Sequence, residues 1–155
     1  MKKLLCTQEG QCSLLYVILN WRKNVSLNKT MIEVADSLLF VFETRDLQTI
    51  TKPISDSIFQ LTVPCSDELK LILHDLKPYP NLLRLLNHQD SKVFKDTILS
   101  ISNILHAGTN TTAIDAPHLH FDVVKKCNGV ELLFSLFKRT DVEQQAKQWA
   151  AICIY

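Results

Sequence analysis

The amino-acid sequence predicts an all-α fold built from repeated helix pairs, and three observations support this prediction. The 155 residues include only three glycines and five prolines, whereas a β-sandwich or barrel needs many such turn-forming residues. Apolar residues recur at helical spacing in two long segments. A short leucine-rich segment precedes a longer one three times, which is typical of helical repeats.

The charge balance excludes several classes of partner. Hydrophobic residues make up 46% of the chain and charged residues 21%, as in an ordinary globular domain. Seventeen basic and sixteen acidic side chains give a formal net charge of +1. Because no strong global field results, we expect neither nucleic acid nor a membrane surface as a partner. The length suits a single domain over residues 1–155.

The clearest helical periodicity lies between residues 91 and 106. One stripe there is widened by Val93, Thr97 and Ile104, so the predicted helix lies between neighbouring helices. Gly108 is expected to end this helix, because glycine adopts the left-handed cap conformation easily. The stripe itself has the spacing i, i+4, i+7 and i+11, and consists of Phe94, Ile98, Ile101 and Leu105.

An earlier segment has similar helical spacing, with Ser26 or Asn28 as the predicted N-cap. Its apolar positions are Met31, Ala35, Leu38 and Phe42. Leucine-rich segments precede the two long helices at residues 14–19 and 82–86, and a third pair occupies 132–137 and 142–155.

The stretch from residue 44 to residue 80 is also predicted to be helical, although its pattern is weaker. Four prolines are expected at helix boundaries there: Pro53, Pro64, Pro78 and Pro80. Two apolar faces are expected, one formed by Ile54, Ile58 and Leu61 and the other by Leu69, Ile72, Leu73 and Leu76.

The last half of the chain resembles armadillo repeats. Residues 122–155 read DVVKKCNGVELLFSLFKRTDVEQQAKQWAAICIY, with a valine pair, a turn ending in Gly129 and an Asp before a Trp- and Ala-rich helix. Residues 81–106 repeat the later part of this pattern, and Asp90 matches Asp141. The related HEAT repeat is the alternative. The resemblance implies a right-handed α-solenoid with degenerate repeats over 1–80, clearer repeats over 81–107 and 121–155, and an inter-repeat loop over 108–120. We expect the array to be truncated at its C-terminus.

The resemblance also implies a concave groove lined by the third helix of each repeat. On the wheel of the 91–106 helix, six residues lie opposite the apolar stripe and are predicted to bind a partner: Lys92, Lys95, Asp96, Leu99, Asn103 and His106. Asn103 matches the family's groove asparagine, and Trp149 is either a groove residue or a core residue. Leu99 stands where nuclear-import adaptors have Trp, and Cys153 where they have Asn. Basic nuclear-localisation peptides are therefore not expected as ligands.

Several chemistries are set aside on the same residues. His118 and His120, with Cys127, lack the four-ligand spacing of structural zinc and are expected to be ordinary loop histidines. Adjacent residues of a helix diverge by about 100 degrees, so His74 and Asp75 are not expected to face each other. Nucleophile and phosphate-loop motifs are absent. We therefore expect no catalytic residue, metal, cofactor or small-molecule substrate.

These observations favour a protein–protein interaction scaffold that binds a peptide or a partner helix of unknown identity. Two alternatives stay open: a helical regulatory segment of a larger enzyme, such as a protein kinase, and a non-functional remnant. Lys2 and Lys3 are followed by no apolar run of signal-peptide length. The five cysteines are scattered and odd in number, as expected for reduced thiols. An intracellular location, in the cytoplasm and/or nucleus, is therefore expected.

Overall fold

The computed structural model describes residues 29–63, 67–113, 115 and 118–154. Every long regular element in these ranges is an α-helix, which confirms the all-α prediction for this part of the chain. A short 3-10 helix at Leu47–Thr49 lies between the first two α-helices. The α-helices are α1 (Lys29–Thr44), α2 (Lys52–Thr62), α3 (Asp67–Asp75), α4 (Tyr79–Leu85), α5 (Ser91–Thr111), α6 (Phe121–Lys126), α7 (Gly129–Leu136) and α8 (Gln144–Ile154).

Helix α5 is the central element, and it begins where the sequence predicts. Asp90 has extended backbone angles, and its carboxylate accepts a hydrogen bond from the Lys92 amide at 2.8 Å. This is a side-chain N-cap, which satisfies one of the amides that no helical carbonyl can reach. The whole predicted stripe is buried, as are Val93, Thr97 and Ile104.

The predicted end of α5 at Gly108 is wrong, because the helix continues to Thr111. Gly108 has no positive φ angle, so glycine is needed here for its small size and not for an unusual backbone conformation. A Cβ at this position would lie 2.8 Å from His118 Cε1 and 3.0 Å from His120 Nε2. Glycine therefore lets the segment before α6 pack directly on the α5 backbone. The predicted loop over 108–120 begins correspondingly later.

The helix boundaries predicted from proline are confirmed where the structure describes them. Pro53 and Pro80 occupy the first turns of α2 and α4, and Pro78 is the residue before α4. Proline is tolerated there because the first helical amides have no intrahelical partner. Pro64, the predicted caps Ser26 and Asn28, and the leucine-rich segment at 14–19 lie outside the described residues.

The apolar faces predicted for residues 44–80 are also found. Ile54, Ile58 and Leu61 of α2 are fully buried, and Leu69 and Leu73 of α3 are buried as well. Ile72 and Leu76 are half-buried. Together with α1, α4 and α5, these helices share one hydrophobic core.

Contacts between helices run in two series. Helix α4 contacts α1 and α7, while α5 contacts α2 and α8. Within each pair, α1 packs on α2, α4 on α5 and α7 on α8. The sequence predicts that the long helices α1 and α5 occupy equivalent positions in two repeats. The contacts instead place α1 in the series of the short helices α4 and α7, and α2 in the series of α5 and α8.

Two arginines stabilise the contacts in the series α1, α4 and α7. The Arg84 guanidinium donates to the carbonyls of Phe42 and, at 2.7 Å, Arg45 at the end of α1. Arg139, just after α7, donates to the Leu86 carbonyl at the end of α4 at 3.0 Å. Each guanidinium therefore satisfies carbonyls at the C-terminal end of the helix before it in this series, α1 for Arg84 and α4 for Arg139. The helix dipole also favours positive charge at such an end.

Candidate partner-binding groove

The residues predicted to bind a partner lie on α5 and α8, but they do not share one surface. Lys92, Lys95 and His106 are exposed, and Leu99 and Asn103 are half-buried. The exception among the α5 residues is Asp96.

Asp96 is buried, with only 8% of its surface exposed, so its prediction as an exposed groove residue is wrong. Helix α2 covers this side of α5, and the Ser55 hydroxyl donates to the Asp96 carboxyl at 2.9 Å. Burial raises the pKa of Asp96 to about 7, the Ser55 hydrogen bond lowers it, and the neighbouring Asp56 carboxyl raises it further. Asp56 itself pairs with Lys52.

Asn103 faces the same neighbour. Its amide donates to the Thr62 hydroxyl of α2 at 3.3 Å, and that hydroxyl in turn donates to the Phe59 carbonyl at 2.7 Å. The amide that matches the family's groove asparagine is therefore bonded to α2 within the chain. Asp96 and Asn103 together form a polar seam between α2 and α5.

The opposite side of α5 is open. A groove of about 280 Å³ lies between the first turns of α5 and helix α8, and we call it the α5–α8 groove. Among the predicted residues it brings together Lys95 and Trp149. Trp149 is half-buried and packs on the core while it lines the groove. The lining is completed by Asn87, His88, Gln89, Ser91, Phe94, Arg139, Asp141, Val142, Glu143, Gln145 and Ala146.

Arg139 and Asp141 organise the wall of the groove, and neither was among the residues predicted to bind a partner. The guanidinium donates to the Asp141 carboxylate through Nε at 3.1 Å and Nη2 at 2.7 Å, and it lies 5.5 Å from the centre of the Phe94 ring. The hydrogen bonds from Arg139 lower the pKa of Asp141. This bidentate pair neutralises both charges within the groove.

The matched aspartates of the two repeats therefore act differently. Asp90 caps α5, whereas Asp141 pairs with Arg139 and α8 begins three residues later, at Gln144. An arginine two residues before an aspartate, just ahead of a helix, could have indicated the Arg139–Asp141 pair from the sequence. The sequence could not show that the same arginine bonds to Leu86, which lies 53 residues away.

Two charges of the groove lining stay unpaired in the described part of the chain. The ammonium group of Lys95 and the carboxylate of Glu143 have no hydrogen bond or ion pair there. Lys92 is exposed one helical turn before Lys95 and is not part of the lining, while Glu143 precedes α8. The α5 side of the groove is therefore locally positive, and the α8 side is locally negative.

His106 lies elsewhere, at a second cavity of about 250 Å³ near the C-terminal end of α5. This cavity also includes Phe121, Ile152 and Cys153. The predicted site is thus divided among the α5–α8 groove, the polar seam with α2 and this second cavity.

One expectation about histidines is wrong, and it concerns His74. His118 and His120 do lie in the loop before α6, but His120 is fully buried, because this loop folds back over α3, α4 and α5. His74 Nδ1 lies 3.3 Å from Asp75 Oδ1, so these adjacent side chains do meet. Asp75 is the last residue of α3 and is 81% exposed at its side chain. Its carboxylate can therefore turn toward the ring without displacing a packed neighbour.

Among the described residues, no group of three or more His, Cys, Asp or Glu side chains is arranged to hold a metal ion. Within the same ranges, no helix combines the length and apolar character that a membrane crossing requires. No family model matches the chain, and no curated protein matches it. Membership of the armadillo family therefore stays a prediction from the residues.

Proposed function

We propose that the chain is a non-catalytic, armadillo-like helical-repeat protein that binds an extended peptide in the α5–α8 groove. The observation that supports this most strongly is that Lys95, a predicted binding residue, and Trp149, for which a groove role was one of two alternatives, line one open groove. The two series of helix contacts are what stacked repeats require, because each helix pair buries its apolar face against the next pair.

The charges around the groove favour an acidic peptide. Arg139 and Asp141 neutralise each other, which leaves Lys95 as the unpaired cation on the α5 side of the groove lining. A carboxylate of the peptide would lie against this lysine. Glu143 on the α8 side would repel a second carboxylate, so the acidic residue is held to one wall.

The half-buried indole of Trp149 adds an apolar contact. Aromatic side chains with one buried edge and one accessible face are frequent anchors of protein interfaces. A large apolar side chain next to the acidic residue would cover this ring and exclude water from it. The proposed ligand is therefore an extended segment with a carboxylate beside a large apolar side chain.

Trp149 also provides the readout for a direct test. The chain has two tryptophans, Trp21 and Trp149, so Trp21→Phe leaves Trp149 as the single indole emitter. Two matched sets of synthetic peptides of about ten residues, long enough to cross the groove when extended, would be titrated against it. One set has Glu beside a central Phe, and the other has Lys there.

We expect the Glu-Phe set to change Trp149 emission at lower concentration than the Lys-Phe set, and added salt to weaken this binding. Lys95→Glu should reverse the preference, while the matched control Lys126→Glu, on the exposed face of α6, should keep it. If neither peptide set changes the emission, or if Lys95→Glu leaves the preference unchanged, the groove assignment is wrong.

A further inference from the structure

Four aromatic side chains from three segments meet outside the α5–α8 groove lining. His74 is the next-to-last residue of α3, Tyr79 begins α4, and His118 and His120 precede α6. The rings of His74 and His120 are stacked with centroids 4.0 Å apart, and the His118 ring stands perpendicular to His120 at 5.3 Å. We call these four residues the histidine cluster.

The hydrogen bonds of His118 engage both of its ring nitrogens. Its Nε2 lies 3.1 Å from the Leu105 carbonyl oxygen, and because a carbonyl only accepts, Nε2 carries the hydrogen. Its Nδ1 accepts the backbone N–H of His120 at 3.1 Å. A second proton on Nδ1 would face that N–H directly and break the bond that fixes the segment's turn.

His120 is held in the same way. Its Nδ1 contacts the Tyr79 hydroxyl, and donation by the hydroxyl leaves the fewest unsatisfied groups, because both side chains are fully buried. Its Nε2 is buried without a partner and lies against Gly108. A second proton would therefore place a hydrogen on Nδ1 against the hydrogen of the phenol, and a positive charge in a site that offers Nε2 no acceptor.

The surroundings of His120 do not stabilise a cation. From α3 it faces His74 and, behind that ring, the exposed carboxylate of Asp75. Within the described residues, no carboxylate forms a hydrogen bond with His118 or His120. Burial lowers the pKa of His120 to about 4, the adjacent His74 and His118 lower it further, and the distant Asp75 opposes them weakly.

The other titratable groups at the cluster are neutral near pH 7. Tyr79 has its pKa raised, mainly by burial and then by Cys153 of α8. Burial also raises the pKa of the Cys153 thiol to about 12. His120 is therefore the buried group of the cluster that mild acid can charge.

We propose that the histidine cluster is an acid-sensitive latch, which holds residues 118–126 on α3, α4 and α5 at neutral pH and releases them in mild acid. His118 and His120 also accept the Phe121 and Val124 amides at the start of α6 through their backbone carbonyls, at 3.0 and 3.1 Å. Release of the two histidines would thus loosen α6 itself and expose Val124, which is buried in the latched state.

The direction of the pH dependence follows from the depressed pKa. In the released segment His120 has an ordinary pKa near 6.5, so the latched state binds fewer protons than the released state below that value. The latch is intact above about pH 6.5 and weakens as the pH falls toward about 4. From these two values, release should be about 25-fold more favourable at about pH 5 than at about pH 7.5.

Hydrogen exchange of the full chain would measure this release. Exchange of amides 118–126 would be followed by mass spectrometry at both pH values and corrected for the intrinsic pH dependence of exchange. His120→Asn is the test variant, because an Asn carbonyl can accept the Tyr79 hydroxyl as Nδ1 does but does not titrate. His106→Asn is the matched control, since His106 is exposed on α5.

We expect the corrected protection of residues 118–126 to fall about 25-fold in the wild type and in His106→Asn on acidification, and to change far less in His120→Asn. Equal pH dependence in all three chains would overturn the proposal. If His120→Asn does not fold, an NMR titration of His120 in the wild type decides: a pKa at or above 6.5 contradicts the latch. Neither measurement depends on the α5–α8 groove, so the two proposals can fail separately.

Discussion

Helix α5 has two sides of opposite character, although the sequence places polar residues on both. Toward α2, Asp96 and Asn103 bond to Ser55 and Thr62, and the seam is closed. Toward α8, Lys95 points into a groove in which Arg139 and Asp141 neutralise each other. The difference shows that a polar residue on a helical wheel identifies a binding face only if no neighbouring helix already uses it.

The closed seam should respond to pH with the largest effect. Because the pKa of Asp96 is raised to about 7, its contribution is fully present below the ordinary value near 3.8 and is lost as the pH rises toward 7. Asp96→Asn should remove this loss, so that its stability relative to wild type rises by about 4 kcal/mol from about pH 4 to about pH 8. Urea unfolding across this range measures the difference.

The matched control for the seam is Asp36→Asn, since Asp36 is an exposed carboxylate of α1. It should follow the wild-type pH dependence closely. A parallel course of wild type and Asp96→Asn would show that Asp96 is not protonated in the folded seam.

The open side should depend on Arg139. Arg139→Ala removes the pair with Asp141 and leaves the Leu86 carbonyl without its donor. We expect a loss of about 2 kcal/mol in the free energy of unfolding, as for hydrogen bonds to charged groups. Arg139→Lys should recover only part of it, because an ammonium cannot form the bidentate pair. Full recovery with lysine would mean that charge alone matters there.

Asn103→Ala tests whether the seam is also held by its neutral hydrogen bond. The bond to Thr62 is long, at 3.3 Å, and half-buried, so the expected loss is about 0.5–1 kcal/mol. The companion variant Thr62→Val should cost a similar amount, and the double variant should cost less than the sum. Thermal or urea unfolding measures the three losses. If the loss in the double variant equals the sum of the two single losses, the contact is contradicted.

Lys95→Glu should have the smallest effect on stability, within about 0.5 kcal/mol, because Lys95 is exposed and unpaired. The substitution should instead change which peptides bind in the groove, as proposed above. A large loss of stability in this variant, seen as a lowered melting temperature, would show that Lys95 has a structural role after all.

The candidate site could be predicted only in part. Lys95 was predicted from the wheel of a single helix, and Trp149 was left open between groove and core; both line the groove. Arg139 was missed because its role depends on a contact with Leu86 that local sequence does not encode. Asp96 was misplaced for the same reason, since the helix that covers it begins about forty residues earlier in the chain.

The sequence by itself determined the helices. Stripes such as Phe94, Ile98 and Ile101 set which face is apolar, and Asp90, Pro53 and Pro80 set where helices begin, because these effects act within one or two turns. Tertiary structure decided which helix covers which face. It put α1 beside α4, brought His120 under His74 and Tyr79, and extended α5 past Gly108. Periodicity fixes that a surface must be buried, whereas its partner is selected by packing among distant segments.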